Sequence, residues 1–168
     1  YSSCPVINAV DGGHLHPTQT LTDLLTLLIH KGRTDNLTIG LCGDLKYGRT
    51  VHSLLKALSH YEGNEFVLIS TDELGVPSYI LDILNERGCK YTVDYSLEDA
   101  IQTLDVLYIT RIQKERFDSE EEYNRLKNVY ILDKEKLSYA KKDLKVLHPL
   151  PKVDEITDEA DEDSRCIY

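Results

Sequence analysis

Apolar positions along this chain recur with two alternating periods. Leu21, Leu24, Leu25 and Leu28 fall at i, i+3, i+4 and i+7, the stripe of an amphipathic helix over 17–31. Pro17 suits the first helical position, where a missing N–H costs nothing, which makes His16 the N-cap. His30 and Lys31 complement the negative helix end, and Gly32 fits a left-handed cap. The run 37–42 then reads as a buried strand, and Val51, Leu54, Leu55 and Leu58 repeat the helical stripe.

The alternation continues to the end of the chain. The sequence predicts a strand over 65–70, and a helix that Pro77 opens at N1, that carries Ile80, Leu81 and Leu84, and that stops at Gly88. A weaker strand over 90–93 follows, then a Ser96-capped helix to Leu104 and an apolar strand over 105–110. Ser119 with Glu122 has the capping-box spacing, the run 129–132 is strand-like, Asp133 caps a helix to Lys142, and 145–147 is the last strand. Strands alternating with helices predict an α/β fold: a doubly wound parallel sheet, three-layer α/β/α and Rossmann-like. There is no internal repeat and no low-complexity linker.

Composition narrows the function classes. A net charge of −10 argues against a nucleic-acid partner, which calls for a basic face. Much of that charge sits in Asp154 to Asp163, a run expected to form a solvated, partly helical surface. Cys4, Cys42, Cys89 and Cys166 are widely spaced with no metal-ligand pattern, which predicts a reduced, cytoplasmic setting and Cys42 as a buried small hydrophobe. No window approaches 18 consecutive apolar residues, so no membrane partner is expected. A start on Tyr1 and a stop at Cys166-Ile167-Tyr168, an apolar run, predict a piece of a longer protein.

Ligand chemistry concentrates in four segments. His16 and Gln19 crown a helix N-terminus, where free N–H groups favour negative charge and a neutral imidazole can donate one hydrogen bond. Gly43 to Thr50 is a strand-to-helix loop lacking both the G-x-G-x-x-G and the G-x-x-x-x-G-K-[ST] patterns, so nucleotide binding is disfavoured. Arg49 in that loop can grip a carboxylate, although alone it is equally a surface arginine. Arg111 and Gln113 alternate along an extended segment, so both side chains can face one way and hold a second carboxylate. In His148-Pro149-Leu150-Pro151 the prolines remove backbone donors and leave the Leu150 and Pro151 carbonyls as acceptors for an amine or amide. Three of the four leave the predicted carboxyl edge of the sheet, where ligands of such folds bind.

Taken together and in this order, the four segments resemble the aspartate carbamoyltransferase family. The likeness rests on Gly43-Asp44-Leu45-Lys46-Tyr47-Gly48-Arg49-Thr50-Val51-His52-Ser53, on Thr110-Arg111-Ile112-Gln113-Lys114-Glu115-Arg116 and on His148-Pro149-Leu150-Pro151 with Val153-Asp154-Glu155-Ile156. It runs along nearly the whole chain. Ornithine carbamoyltransferases share the His-Pro-x-Gln motif but typically carry Cys where this chain has Pro149.

The resemblance implies transfer of a carbamoyl group from carbamoyl phosphate to the α-amino group of L-aspartate, in pyrimidine synthesis, without a cofactor or metal. It implies that His16 bonds the carbamoyl oxygen and acts in catalysis, and that Gln19, Leu150 and Pro151 also bind carbamoyl phosphate. Arg49 would hold the aspartate α-carboxylate, and Arg111 with Gln113 its side-chain carboxylate. A cis Leu150–Pro151 bond, a mobile loop at Phe117 to Tyr123, a homotrimer and the possibility of regulatory chains are further implications. So is a division into 1–33, the end of a carbamoyl-phosphate domain with its junction helix, and 34–168, an aspartate-binding domain. The family's Ser-Thr-Arg-Thr phosphate motif is absent from this sequence. Two other readings stay open: a different carbamoyltransferase of ornithine type, and a non-catalytic module that holds a dicarboxylate.

Overall fold

The computed structural model describes residues 4–5, 15–112, 117, 119–127 and 129–168. Helix α1 (Pro17–Lys31) starts as the sequence predicts, with the His16 ring accepting the Gln19 N–H at 3.4 Å, and ends where Gly32 turns left-handed at φ 70°. The other helices are α2 (Arg49–Leu58), α3 (Ser78–Glu86), α4 (Leu97–Ala100), α5 (Glu120–Leu126), α6 (Lys134–Tyr139) and α7 (Asp158–Asp161). Ser96, Ser119 and Asp133 accept backbone N–H groups as the predicted caps of α4, α5 and α6.

Strands β1 (Thr38–Cys42), β2 (Glu65–Ile69), β3 (Lys90–Asp94), β4 (Val106–Ile109) and β5 (Lys145–Leu147) form a parallel sheet in the order β3-β2-β1-β4-β5. The period of two divides β1, β2, β4 and β5 between two cores. On one face Ile39, Leu41, Phe66 and Leu68 meet Leu54, Leu58, Ile80 and Leu84. On the other Cys42, Ile69, Leu107 and Ile109 meet Ile101, Leu104, Leu137 and Ala160. Each fully buried aliphatic side chain contributes roughly 1.5–3 kcal/mol, so both faces of the sheet carry stabilising burial. Gly40 sits inside β1 because Leu104 crosses directly over it: a Cβ there would come within 2.3 Å of Leu104 Cδ1.

Several local expectations are corrected. Of the predicted α1 stripe only Leu24 packs against the core: Leu21, Leu25 and Leu28 are 64, 57 and 54% exposed, while Thr20, Asp23 and Leu27 are buried. The helix is rotated so that its polar Thr20–Asp23 side lies over β4 and β5, leaving an apolar outer face. The run 129–132 is not a sheet strand; Leu132 makes an isolated parallel bridge to Ile156 instead. Pro77 is the N-cap rather than N1 of α3, with ψ at 147°, and α4 and α6 end earlier than predicted, at Ala100 and Tyr139. The acidic run is mostly exposed and partly helical, but Glu155 within it is buried.

Candidate active site

The strand order places a switch point between β1 and β4, since one is followed by β2 on one side and the other by β5 on the opposite side. Loops leaving the carboxyl ends of β1, β4 and β5 therefore meet at one edge, the usual ligand position in open α/β sheets.

The β1 loop is tied down at each end. Gly43 adopts φ 109°, and a Cβ there would lie 2.2 Å from the Thr110 carbonyl oxygen, so this close approach requires glycine. Leu45 donates its N–H to the Leu74 carbonyl at 3.1 Å, and its own carbonyl accepts from His52 Nε2 at 2.8 Å. The Tyr79 hydroxyl donates to His52 Nδ1 at 3.0 Å, which fits a neutral ring. Burial pushes the His52 pKa down, aided by the Lys56 charge and opposed by the Leu45 carbonyl. Buried Asp44 accepts the Tyr47 N–H at 2.9 Å. The loop thus delivers Arg49 as the first residue of α2.

Thr110 ends β4 by returning both its N–H and its hydroxyl to the Cys42 carbonyl, at 2.9 and 3.2 Å. That contact fixes the exit of Arg111. The β5 loop is held by one ring: His148 Nδ1 accepts the Leu150 N–H at 2.8 Å, and Nε2 donates to Glu155 Oε1 at 2.7 Å. Glu155 also accepts the N–H groups of Val153 and Asp154. Leu150–Pro151 is cis, as expected, with Leu150 at φ 49°. The start of α1 is joined to α2 by Ser53, whose hydroxyl accepts the His16 N–H at 2.8 Å and donates to the Arg49 carbonyl.

His16, Arg49, Arg111, Leu150 and Pro151 line a single cleft of about 210 Å³. Five of the seven predicted site residues are thereby brought together. With Nδ1 of His16 accepting the Gln19 N–H, a neutral ring carries its proton on Nε2, free to donate to an oxygen. Gln113 lies outside the described residues. Gln19 does not line this cleft: its Nε2 donates to Asp23 Oδ1 at 2.8 Å. It lines a neighbouring depression of about 220 Å³ that shares His148, Pro149 and Leu150 with the cleft.

Asp23 is 3% exposed, and burial pushes its carboxyl up to about 6 against the pull of Gln19 and Tyr108. Tyr108, on β4, is also buried, and burial with the nearby Asp23 charge pushes its phenol up. The Tyr108 hydroxyl faces Asp23 and Thr50 closely enough to shift its own pKa and that of Asp23, although its contact with Asp23 Oδ2 falls outside ideal hydrogen-bond geometry. Sequence reasoning missed Asp23, His52 and Glu155. Asp23 sits inside an apolar helix pattern and Glu155 inside an acidic run, so only their burial distinguishes them. Among the described residues, no group of three or more His, Cys, Asp or Glu is placed to hold a metal ion.

The arrangement supplies two guanidinium groups for carboxylates, one imidazole donor for a polarised oxygen and two carbonyl acceptors for N–H groups. Known proteins resemble this chain in sequence and shape. The aspartate carbamoyltransferase catalytic subunit of Clostridium novyi is 61% identical over 168 residues, all of this chain and 55% of the relative. The catalytic subunit of M. jannaschii aspartate transcarbamoylase superimposes with a TM-score of 0.89 at 46% identity, covering 99% of this chain and 54% of that one. The Trypanosoma cruzi aspartate transcarbamoylase solved with aspartate and phosphate gives a TM-score of 0.85 at 38% identity, covering 99% and 52%. The chain spans about half the length of the relatives it matches. Residues 35–168 match the family described as aspartate/ornithine carbamoyltransferase, Asp/Orn binding domain. This chain, with its two arginines and its cis-proline loop around one cleft, belongs to the aspartate/ornithine carbamoyltransferase family.

Proposed function

We propose that this chain is the aspartate-binding part of an aspartate carbamoyltransferase catalytic chain. The observation that carries the reading is the placement of Arg49 and Arg111 in one cleft with His16 and the Leu150–Pro151 carbonyls. A ligand there meets two guanidinium groups, which suits a dicarboxylate and repels the side-chain ammonium of ornithine.

In the proposed reaction the α-amino nitrogen of aspartate attacks the carbonyl carbon of carbamoyl phosphate. A C–N bond forms, the C–O bond to phosphate breaks, and the amine loses a proton, giving N-carbamoyl-L-aspartate and phosphate. His16 Nε2–H stabilises charge developing on the carbamoyl oxygen. Gln19 and the Leu150 and Pro151 carbonyls orient the carbamoyl amide, Arg49 holds the α-carboxylate, and Arg111 with Gln113 holds the side-chain carboxylate. Acceleration then comes from alignment and preorganised charge rather than from a covalent intermediate.

In this reading residues 1–33 end the carbamoyl-phosphate domain and supply the junction helix, and 34–168 form the aspartate domain. The exposed apolar side of α1 supports that division, because it is the face a preceding domain would cover. The working enzyme is proposed to be a homotrimer in the cytoplasm, open to association with regulatory chains, and to act in pyrimidine synthesis. Steady-state assays of the full-length catalytic chain with aspartate and with ornithine test the reading. Carbamoylation of aspartate in preference to ornithine is expected; preference for ornithine overturns it.

A further inference from the structure

We infer that Asp23 is a positioning residue that decides which end of the Gln19 carboxamide meets a ligand. The Asp23 carboxylate holds Nε2, so Oε1 is the end presented, as an acceptor. The inference rests on the reading that Gln19 contacts the carbamoyl amide.

Asp23 follows Gln19 by one helical turn on α1, and the bond between them is 2.8 Å. An ionised carboxylate has no proton to give, so only the NH₂ end of Gln19 can face it. A glutamine without such a partner can present either end. The amide of carbamoyl phosphate offers two N–H donors and therefore needs acceptors. Gln19 Oε1 completes a set of which the Leu150 and Pro151 carbonyls are the other members, and Leu150 borders both the cleft and the depression that holds Gln19.

Stability alone does not account for this residue. Asp23 is buried, and the burial outweighs the pull of Gln19 and Tyr108 on its carboxyl, so its charge is costly to the fold. Asparagine would fill the place with no charge to bury. What aspartate adds is a one-way hydrogen bond.

The test is a double-mutant cycle in the full-length catalytic chain, with Asp23→Leu, Gln19→Ala and the pair, read as the Kd of carbamoyl phosphate. Asp23→Leu should weaken binding roughly three- to tenfold, the value of one lost hydrogen bond, and should have no further effect on Gln19→Ala. An unchanged Kd, or an equal loss in both backgrounds, overturns the inference. If Asp23→Leu fails to fold, Asp23→Asn replaces it, with a loss of about threefold that must again vanish without Gln19. In the 168-residue chain, the Gln19 side-chain NH₂ signals in ¹H–¹⁵N spectra should move on Asp23→Asn; unmoved signals also overturn it. If the unmutated enzyme does not bind carbamoyl phosphate, the reading of the site fails. The spectra then still decide whether Asp23 holds Gln19.

Discussion

His148 and Glu155 close a ring around the loop that carries Leu150 and Pro151. The imidazole is anchored at both nitrogens, and the carboxylate that receives its proton donor is itself bonded to two backbone N–H groups. Burial works against the Glu155 charge, but these donors outweigh it and hold the carboxyl below its ordinary value.

Removing that acceptor leaves buried donors unsatisfied. Glu155→Ala is expected to destabilise the chain by on the order of 3 kcal/mol, and Glu155→Gln by less, since it retains one oxygen. Urea unfolding of the variants checks the order. Because the Glu155 pKa is depressed on folding, its stabilising contribution is full above the ordinary carboxylate value and is lost as pH falls through the folded one. Variants lacking it should lose part of the acid-induced decline.

Asp23 has the opposite sign. Its pKa rises from 3.8 to about 6 on folding, so the folded state binds more protons between those values and its contribution falls as pH rises through them. Asp23→Asn should therefore stabilise the chain at pH 7 to 8 by on the order of 2–3 kcal/mol, at about 1.4 kcal/mol per pH unit. The gain should fade towards pH 4. Thermal melts across this range measure it, and a pH-independent difference contradicts the assignment.

Gly43→Ala forces a side chain onto the Thr110 carbonyl at a positive φ. The expected cost is roughly 2 kcal/mol or more. In the full-length enzyme the KM for aspartate should also rise, because Arg111 follows the displaced residue.

Arg111→Ala in the full-length enzyme removes one charge-assisted contact, worth about 1.5–3 kcal/mol, so kcat/KM for aspartate should fall about ten- to a hundredfold. An unchanged value would place Arg111 outside the site.

The 168-residue chain should fold cooperatively by itself, on the strength of cores covering both faces of its sheet. It should show no transferase activity. This sequence has no Ser-Thr-Arg-Thr phosphate clamp, and a misplacement of about 1 Å already costs ~100-fold. Turnover near the rate of the full-length enzyme would put the reaction centre elsewhere.

What could be read from the sequence follows from which forces are local. Caps such as His16, Ser96 and Asp133 and the strands of β1 and β4 depend on neighbours in the chain, so their pattern was visible. The facing of α1 was not, because Leu21, Leu25 and Leu28 look like any core stripe until the sheet is in place. The run 129–132 had strand composition, but its pairing with Ile156 depended on where the chain returned. Arg49, Arg111 and the proline loop were visible as motifs. The partners that hold them in place, His52 and Glu155, become distinct only through burial.

The main-chain contact between Gly43 and Thr110 makes the cleft a ruler. Arg49 and Arg111 hang from loops that touch backbone to backbone, so no change of side-chain rotamer at that joint can spread them. On the proposed reading, a diacid one methylene longer than aspartate meets two arginines whose backbones cannot draw apart at this joint. A missing or extra methylene in a rigid pocket is worth about 1–3 kcal/mol. On the proposed reading, the spacing of the two arginine backbones is set where the loops touch, by main chain rather than by side chains.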